Sequence, residues 1–457
     1  MNDSGYSQTA QRPTPRTRRT FLLSATAAVP GVVLAACAPG AQGTGVPPST
    51  AGTREVTLRW TTWQGAGAPM VEASAKGAAL FTQKNPKIKV NPEPDPGAEK
   101  LFAEMVAGTA PDVMSNCCAV LPTWASKGIL LNLDPLVRRD WKDSLVKDFS
   151  EVQYNYFWSK EAGRFAVPMY MGTSALYYNK DRFTQAGVPF PDDSWDFPKW
   201  QDAMRRLTAP SQERWGFYPR ISRGTRNFLV NSGGGNVVDP KDDTKAAFDQ
   251  APALAVFQWL RDRTWQDNSA IQRPQEMGNS REMFARGRVA MIIDGSFELQ
   301  TVLRAGPDAN WDLALIPKGF KERRNRATVD GWVIWKEVKN KDEAWALISF
   351  LQTDEWWDIN MPITGQQPTR VSLQAKYPDV LRRSHPTFTS KNMNVFTHPI
   401  INKYVGPQEN WRLDDLAAPI YEKAWADSVV DNKVAVSDAF RQAGAEIANL
   451  HKTQLGK

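Results

Sequence analysis

Three cysteines and three histidines in 457 residues leave little room for several chemistries. A disulfide needs Cα atoms more than about 4.4 Å apart, and neighbours such as Cys117 and Cys118 sit about 3.8 Å apart. With Cys37 the only other cysteine, no disulfide framework is implied, and two free thiols are expected. His385, His398 and His451 stand in no ligand-like spacing with the cysteines, so neither a metal nor a cofactor is expected. The chain contains no Gly-x-Ser-x-Gly turn of a serine hydrolase. Gly233-Gly234-Gly235 is followed by no Lys-Ser/Thr and opens no Gly-x-Gly-x-x-Gly frame, so it is not a phosphate loop. The charge-free stretch Ser24 to Ala36 falls short of the ~18–20 apolar residues that span a bilayer. Positive charge is slight as well. Residues 1–36 contribute +3 of the +7 total, leaving a scattered +4 that argues against a nucleic-acid partner.

What the chain does have begins at its front. Thr17-Arg18-Arg19-Thr20-Phe21-Leu22-Leu23 places paired arginines before an apolar stretch, the pattern of a twin-arginine export signal. The stretch closes on Leu34-Ala35-Ala36-Cys37, which resembles the lipobox of bacterial lipoproteins, where the cysteine is lipidated and becomes the new N-terminus. Residues 1–36 are therefore expected to be a signal peptide, with Arg18 and Arg19 as its recognition pair and Cys37 as the lipid anchor. Residues 38–53, rich in Gly, Pro, Ser, Thr and Ala without charge or aromatics, read as a flexible linker. The expected address is the outer face of the cell membrane.

The body from residue 54 exceeds the ~250–300 residues at which one core stops growing, so two lobes are expected. Glu55 to Trp60 alternates as a half-buried strand, Val71 to Gln83 has helical spacing, and Lys87 to Val90 and Asp112 to Met114 read as further strands. Strand and helix keep alternating. Strands are expected at Phe165 to Pro168, Ala175 to Tyr178, Val289 to Ile293 and Val329 to Trp335. Helices are expected at Asp181 to Ala186, at Phe197 to Leu207 with Ser194 as its cap, at Ala251 to Trp265 and at Asp342 to Leu351. Leu413 to Leu450 is mainly helical. This order indicates an α/β fold with parallel strands joined by crossover helices. The aromatic count is high, with 18 Trp, 20 Phe and 10 Tyr, which fills cores and also suits a site that stacks rings.

Several segments together resemble one family. Phe81-Thr82-Gln83-Lys84-Asn85-Pro86-Lys87-Ile88-Lys89-Val90, Gly108-Thr109-Ala110-Pro111-Asp112-Val113 and Gly128 to Asp134 follow the opening order of bacterial extracellular solute-binding proteins. Val167-Pro168 through Tyr177-Tyr178-Asn179-Lys180-Asp181-Arg182-Phe183, then Ala186-Gly187-Val188 and Trp195-Asp196, resemble that family's central block. Phe284 to Met291 and Gly331-Trp332 fit its later motifs, so the resemblance runs from about residue 55 to 450 and points to the sugar-binding branch. It implies a periplasmic-binding-protein-like (type II) fold: two α/β lobes, a hinge crossed three times and a ligand cleft between them. The lobes implied are 54–168 plus 333–366 and 169–332 plus 367–457. It also implies a monomer that closes on a small-molecule ligand and delivers it to an ABC permease in the membrane.

A sugar presents hydroxyl rims and apolar faces, so its site wants aromatic platforms edged by amides and charges. Trp63 and Gln64 follow the first strand, and Asn116 follows the third. Tyr170 stands at the first crossing, Trp332 at the second and Arg370 at the third, where it serves either sugar hydroxyls or a hinge ion pair. Asp294 either faces the cleft or caps a helix near Ser296, and Phe297 stands where relatives often carry a stacking tryptophan. Two other classes remain open. A phosphorylated polyol, polyamine or peptide could be the solute, and an exported carbohydrate-active enzyme would need two carboxylates ~5–9.5 Å apart that no motif marks.

Overall fold

Period-two burial builds the first strand, β1 (Val56–Thr61), in which Leu58 and Trp60 are buried while Thr57 and Arg59 remain partly exposed or exposed. The computed structural model describes residues 55–62, 68–219, 221–272, 278–307, 309–406 and 409–456. The leader, Cys37, the linker, Trp63 and Gln64 lie outside the described residues.

β1 pairs in parallel with β2 (Ile88–Glu93), and the helix between them, α1 (Ala68–Lys84), makes the right-sized crossover. A parallel bridge from Trp60 to Val113 joins β1 to the strand β3 (Met114–Cys117). β3 then pairs with β10 (Asp330–Val333), which pairs in turn with β4 (Val167–Tyr170), both antiparallel. One sheet thus runs β2-β1-β3-β10-β4. The second sheet has the order β8-β5-β7-β6, built from β5 (Ser174–Asn179), β6 (Trp215–Phe217), β7 (Val289–Gly295) and β8 (Trp311–Ala314). Only β6 and β7 are parallel within it. Both sheets are therefore mixed, where strand–helix alternation predicted parallel ones: the antiparallel pairs join strands far apart in the chain, β10 with β3 and β4 and β5 with β7 and β8, and not neighbours linked by one crossover helix.

Each sheet is covered on both faces. The first sheet takes α1, α9 (Lys341–Phe350) and α10 (Asp354–Thr364) on one side and α2 (Ala98–Ala107) on the other. Gly77 of α1 leaves room for the Trp356 ring of α10, since a Cβ there would lie 2.5 Å from Trp356 Cζ3. In β5 the buried side chains alternate between two cores, Ala175 and Tyr177 on one face and Leu176 and Tyr178 on the other. That second core holds α5 (Phe197–Arg206), α6 (Arg223–Ser232), α7 (Ala251–Trp265) and the C-terminal helices α11 (Asp414–Trp425) and α12 (Val436–Leu455). The cap of α5 is Asp196, whose Oδ1 accepts from Lys199 N at 2.9 Å. Ser194, the expected cap, instead bonds Asp192.

The tryptophan excess goes into these cores. Trp60, Trp200, Trp332, Trp345, Trp356 and Trp357 are among the largest fully buried side chains. Stacking of a bound ring is therefore not what the count records.

Candidate functional site: the three crossings and the cleft beside them

The chain passes between the sheets at three places, and side-chain amides bind the passages together. After β4 the first passage runs through Met171, Gly172 and Thr173 into β5. The second leads from β9 (Asn325–Arg326), which pairs with β11 (Val405–Gly406), through Ala327 to Val329 into β10. The third runs through Gln366 and Gln367 after α10. Thr328 N donates to Gly172 O at 2.9 Å and Met171 N to Gln367 O at 3.0 Å, so the first passage lies between the other two. Gly172 is needed there, because a Cβ would sit 2.7 Å from Thr328 Cγ2.

Three amides complete the junction. Gln153, on α3 (Glu151–Tyr156), is fully buried and donates from Nε2 to Tyr170 O at 2.7 Å and Thr328 O at 2.8 Å. Gln367 Oε1 accepts from Thr173 N at 3.2 Å, while its Nε2 donates to Gln374 Oε1 and Phe396 O. Asn325 exchanges bonds with the Ser174 backbone, accepting at 3.0 Å and donating at 2.7 Å. Apolar packing also runs through the junction, from Trp60 and Trp332 through Met169 and Tyr170 to Tyr177 and Trp311.

The junction corrects two expected lobe limits. β4 extends to Tyr170 and β10 begins at Asp330, so the limits at 168/169 and 332/333 fall inside strands of the first sheet.

Beside the passages, groups from both sheets converge. β3 ends at Cys117, and Cys118 takes a left-handed φ of 57° while its N–H donates to Val329 O at 3.1 Å. A hydrogen bond with Cys118, followed by burial, holds the Cys117 thiol well above its usual range, and Asp330 and Arg326 both act on it. Tyr156 Oη donates to Cys118 O at 3.1 Å and also meets Asn410 Nδ2, which joins α3 of the first lobe to the second. Asn410 is held in turn by Arg223, which donates to Asn410 Oδ1 at 2.9 Å and pairs with Asp414 at 2.6 Å. Burial pushes the Tyr156 hydroxyl well above its ordinary pKa, so it stays protonated and able to donate. On the far side, Arg326 lies over the Phe297 ring at 5.4 Å.

The expected site residues divide sharply. Asn116, Tyr170 and Trp332 come together on adjoining strands, with Gly331 opposite Asn116 and Asp330 opposite Tyr170. All three are buried. Trp332 is 1 % exposed and packs on Trp60 at 5.8 Å, so its ring fills the core and is not offered to a solute. Tyr170 is 2 % exposed in the same core, and Asn116 Oδ1 folds back to accept from Cys117 N at 2.9 Å. The preceding Gly331 also has a packing role: a Cβ would lie 3.0 Å from the Phe157 ring. Arg370 is committed to Asp148 at 2.8 Å and to Asp354, which resolves its two readings in favour of the ion pair. Asp294 neither caps a helix nor stands free: it pairs with Arg281 at 2.8 Å, alongside Glu298 at 3.0 Å. Among the described residues, Phe297 is the one expected aromatic that is partly exposed, with Arg326 over its ring.

Tyr156, Arg223, Arg326 and Asn410 were not anticipated. Nothing in their spacing marks them, since each is brought in by tertiary packing from a different stretch of chain. Of these, Arg326 lies against the Phe297 ring, while Tyr156, Asn410 and Arg223 form a linked run of hydroxyl, amide and guanidinium. Among the described residues there is no group of three or more metal-ligating side chains, and no helix is long and apolar enough to cross a membrane.

Comparison with known proteins agrees with this geometry. A Brucella abortus (strain 2308) protein, itself assigned only provisionally as a binding protein, is 25% identical over 319 residues, covering 67% of this chain and 74% of its own. The galactooligosaccharide-binding protein of Bacillus subtilis (strain 168) is 24% identical over 389 residues, covering 82% of this chain and 87% of its own. The fold matches that of an ABC substrate-binding protein from Listeria monocytogenes solved with cycloalternan, at a TM-score of 0.73 and 17% identity over 88% of this chain and 99% of that one. The profile of the bacterial extracellular solute-binding proteins matches residues 63–356, well over half of the sequence. With two mixed α/β lobes tied at three crossings, the chain belongs to the bacterial extracellular solute-binding protein family.

Proposed function

We propose that this protein is the capture component of an ABC importer, binding a carbohydrate between its lobes and passing it to a membrane permease. The observation that carries the reading is the amide-tied triple crossing, with the Tyr156–Asn410 link and the Arg326–Phe297 contact beside it. A hinge of that kind lets a ligand that touches both lobes favour their closure. Two of the compared proteins bear names with oligosaccharide ligands, which supports carbohydrate as the solute class. Phe297 supplies one stacking face, and Tyr156, Asn410 and Arg223 supply hydrogen-bonding groups at the rim.

A phosphorylated polyol is the second reading. Arg326 has no carboxylate partner among the described residues, and an anionic group on the solute would pair with it. Binding is reversible in either case, with no turnover. The test is thermal shift and calorimetric titration against a panel of mono- and oligosaccharides and their phosphate esters. A sugar at 100 times its Kd should stabilise the fold by about 2.7 kcal/mol. A response to phosphate esters alone, lost in Arg326→Gln, selects the second reading, and release of shorter sugars during incubation rejects the binding-only assignment.

We further propose lobes that change over near residues 171–173, 327–329 and 367, and a monomeric working state. Export by the twin-arginine route and anchoring through a lipid on Cys37 complete the reading. They rest on the arginine pair, Arg18 and Arg19, and on the Leu34-Ala35-Ala36-Cys37 ending. Cys37→Ser is expected to move the protein from the membrane fraction to the soluble exported fraction. Retention of that variant in the membrane would sink the lipid assignment.

A further inference from the structure

β5 carries the chain away from the crossings. At about 3.3 Å per residue its far end at Asn179 lies roughly 17 Å from Ser174. A polar recess of about 240 Å³ opens there, lined by Asn179, Arg182, Arg214 and Arg286, with Asp181 the one carboxylate among its lining residues. Its composition is unbalanced. Arg182 is 7 % exposed, and its guanidinium donates only to backbone oxygens, Gly287 O at 2.6 Å and Leu207 O at 2.5 Å. Burial, and then the charge of Arg214, depress its pKa to about 10, the mark of a cation held without an anion. Neither Arg214 nor Arg286 makes an ion pair among the described residues, and Asp181 is turned to Asn310 Nδ2 at 2.7 Å.

Asn179 gives an independent pointer to the ligand. It is 6 % exposed, and its Oδ1 is consumed as the N-cap of α4 (Lys180–Gln185), accepting from Arg182 N at 3.0 Å. Only its Nδ2 amide remains for the recess, and that amide has no acceptor among the described residues. An amide donor and three guanidinium groups thus line one volume. Water accepts hydrogen bonds but leaves like charges facing each other, whereas an oxyanion meets both demands. We propose that this recess binds a small oxyanion of phosphate or carboxylate chemistry, at a second site separate from the cleft. The proposal does not depend on what the cleft binds.

The full-length protein would be titrated with inorganic phosphate, and separately with malonate, in chloride buffer at fixed ionic strength, with melting temperature and calorimetric heat as readouts. A saturable rise is expected with at least one of them, and which one responds identifies the source of the oxyanion. Asn179→Asp keeps the capping oxygen and puts a carboxylate among the arginines. It should melt higher than the native protein without any anion and weaken the anion response about tenfold or more. The double variant Arg214→Gln/Arg286→Gln, at one half-buried and one exposed position, should weaken it similarly, whereas Arg326→Gln should leave it intact. The proposal is wrong if neither anion gives a saturable response, if the recess variants respond like the native protein, or if only Arg326→Gln abolishes the effect. Solute affinity measured in the same variants should not move, which separates this site from the cleft.

Discussion

Trp332→Ala is expected to lower the unfolding free energy by about 3–5 kcal/mol, the range for deleting a large aromatic from a packed core. The ring is 1 % exposed and meets Trp60 at 5.8 Å, and Trp60 in turn meets Trp356 at 5.8 Å on the helix side. Truncation leaves a cavity between the first sheet and α10 that rigid neighbours close only in part. Urea unfolding followed by far-UV circular dichroism gives the midpoint, and the slope should stay the same if the native fold persists. Trp332→Phe should recover much of the loss. An unchanged midpoint together with lost solute binding would return the residue to the cleft.

Gln153→Leu keeps the side-chain volume and removes two donors, and it should cost about 2–4 kcal/mol. The amide serves Tyr170 O at 2.7 Å and Thr328 O at 2.8 Å, one on each of two neighbouring passages, in a place water does not reach. The variant therefore leaves two buried carbonyls short of a partner where the lobes are joined. A fall in the urea midpoint with a several-fold change in solute affinity is the expected pair of results. A midpoint equal to the native one would mean that the amide does not help to hold the crossing.

The architecture was legible because its signals are local and repeated. Period-two burial at Leu58 and Trp60, the helical spacing of Ala251–Trp265 and the apolar run from Val289 all correspond to elements of the structure. Strand direction was less legible, since nothing at Asp330–Val333 marks it as the strand that joins β3 to β4, antiparallel to both, in a sheet begun about 270 residues earlier at Val56–Thr61.

The site was legible only in part. Motif position led to Gly331-Trp332 and to Tyr170, but a strand offers two faces, and the face turned to the core is decided by partners such as Phe157 and Trp60. Arg370 illustrates the same limit, because its choice between solute and ion pair was made by Asp148, which lies 222 residues away in sequence. Tyr156 and Asn410, 254 positions apart, meet only in the folded chain.

The place of β10 sets an order of events during synthesis. It lies between β3 and β4, yet the ribosome delivers it after every strand of the second sheet, whose last member ends at Ala314. A nascent chain stopped before Asp330 has β3 and β4 with no strand to join them, while the four strands of the other sheet are already available to one another. The sheet that begins first is therefore completed later than the other, and until then its edges stand open to mispairing.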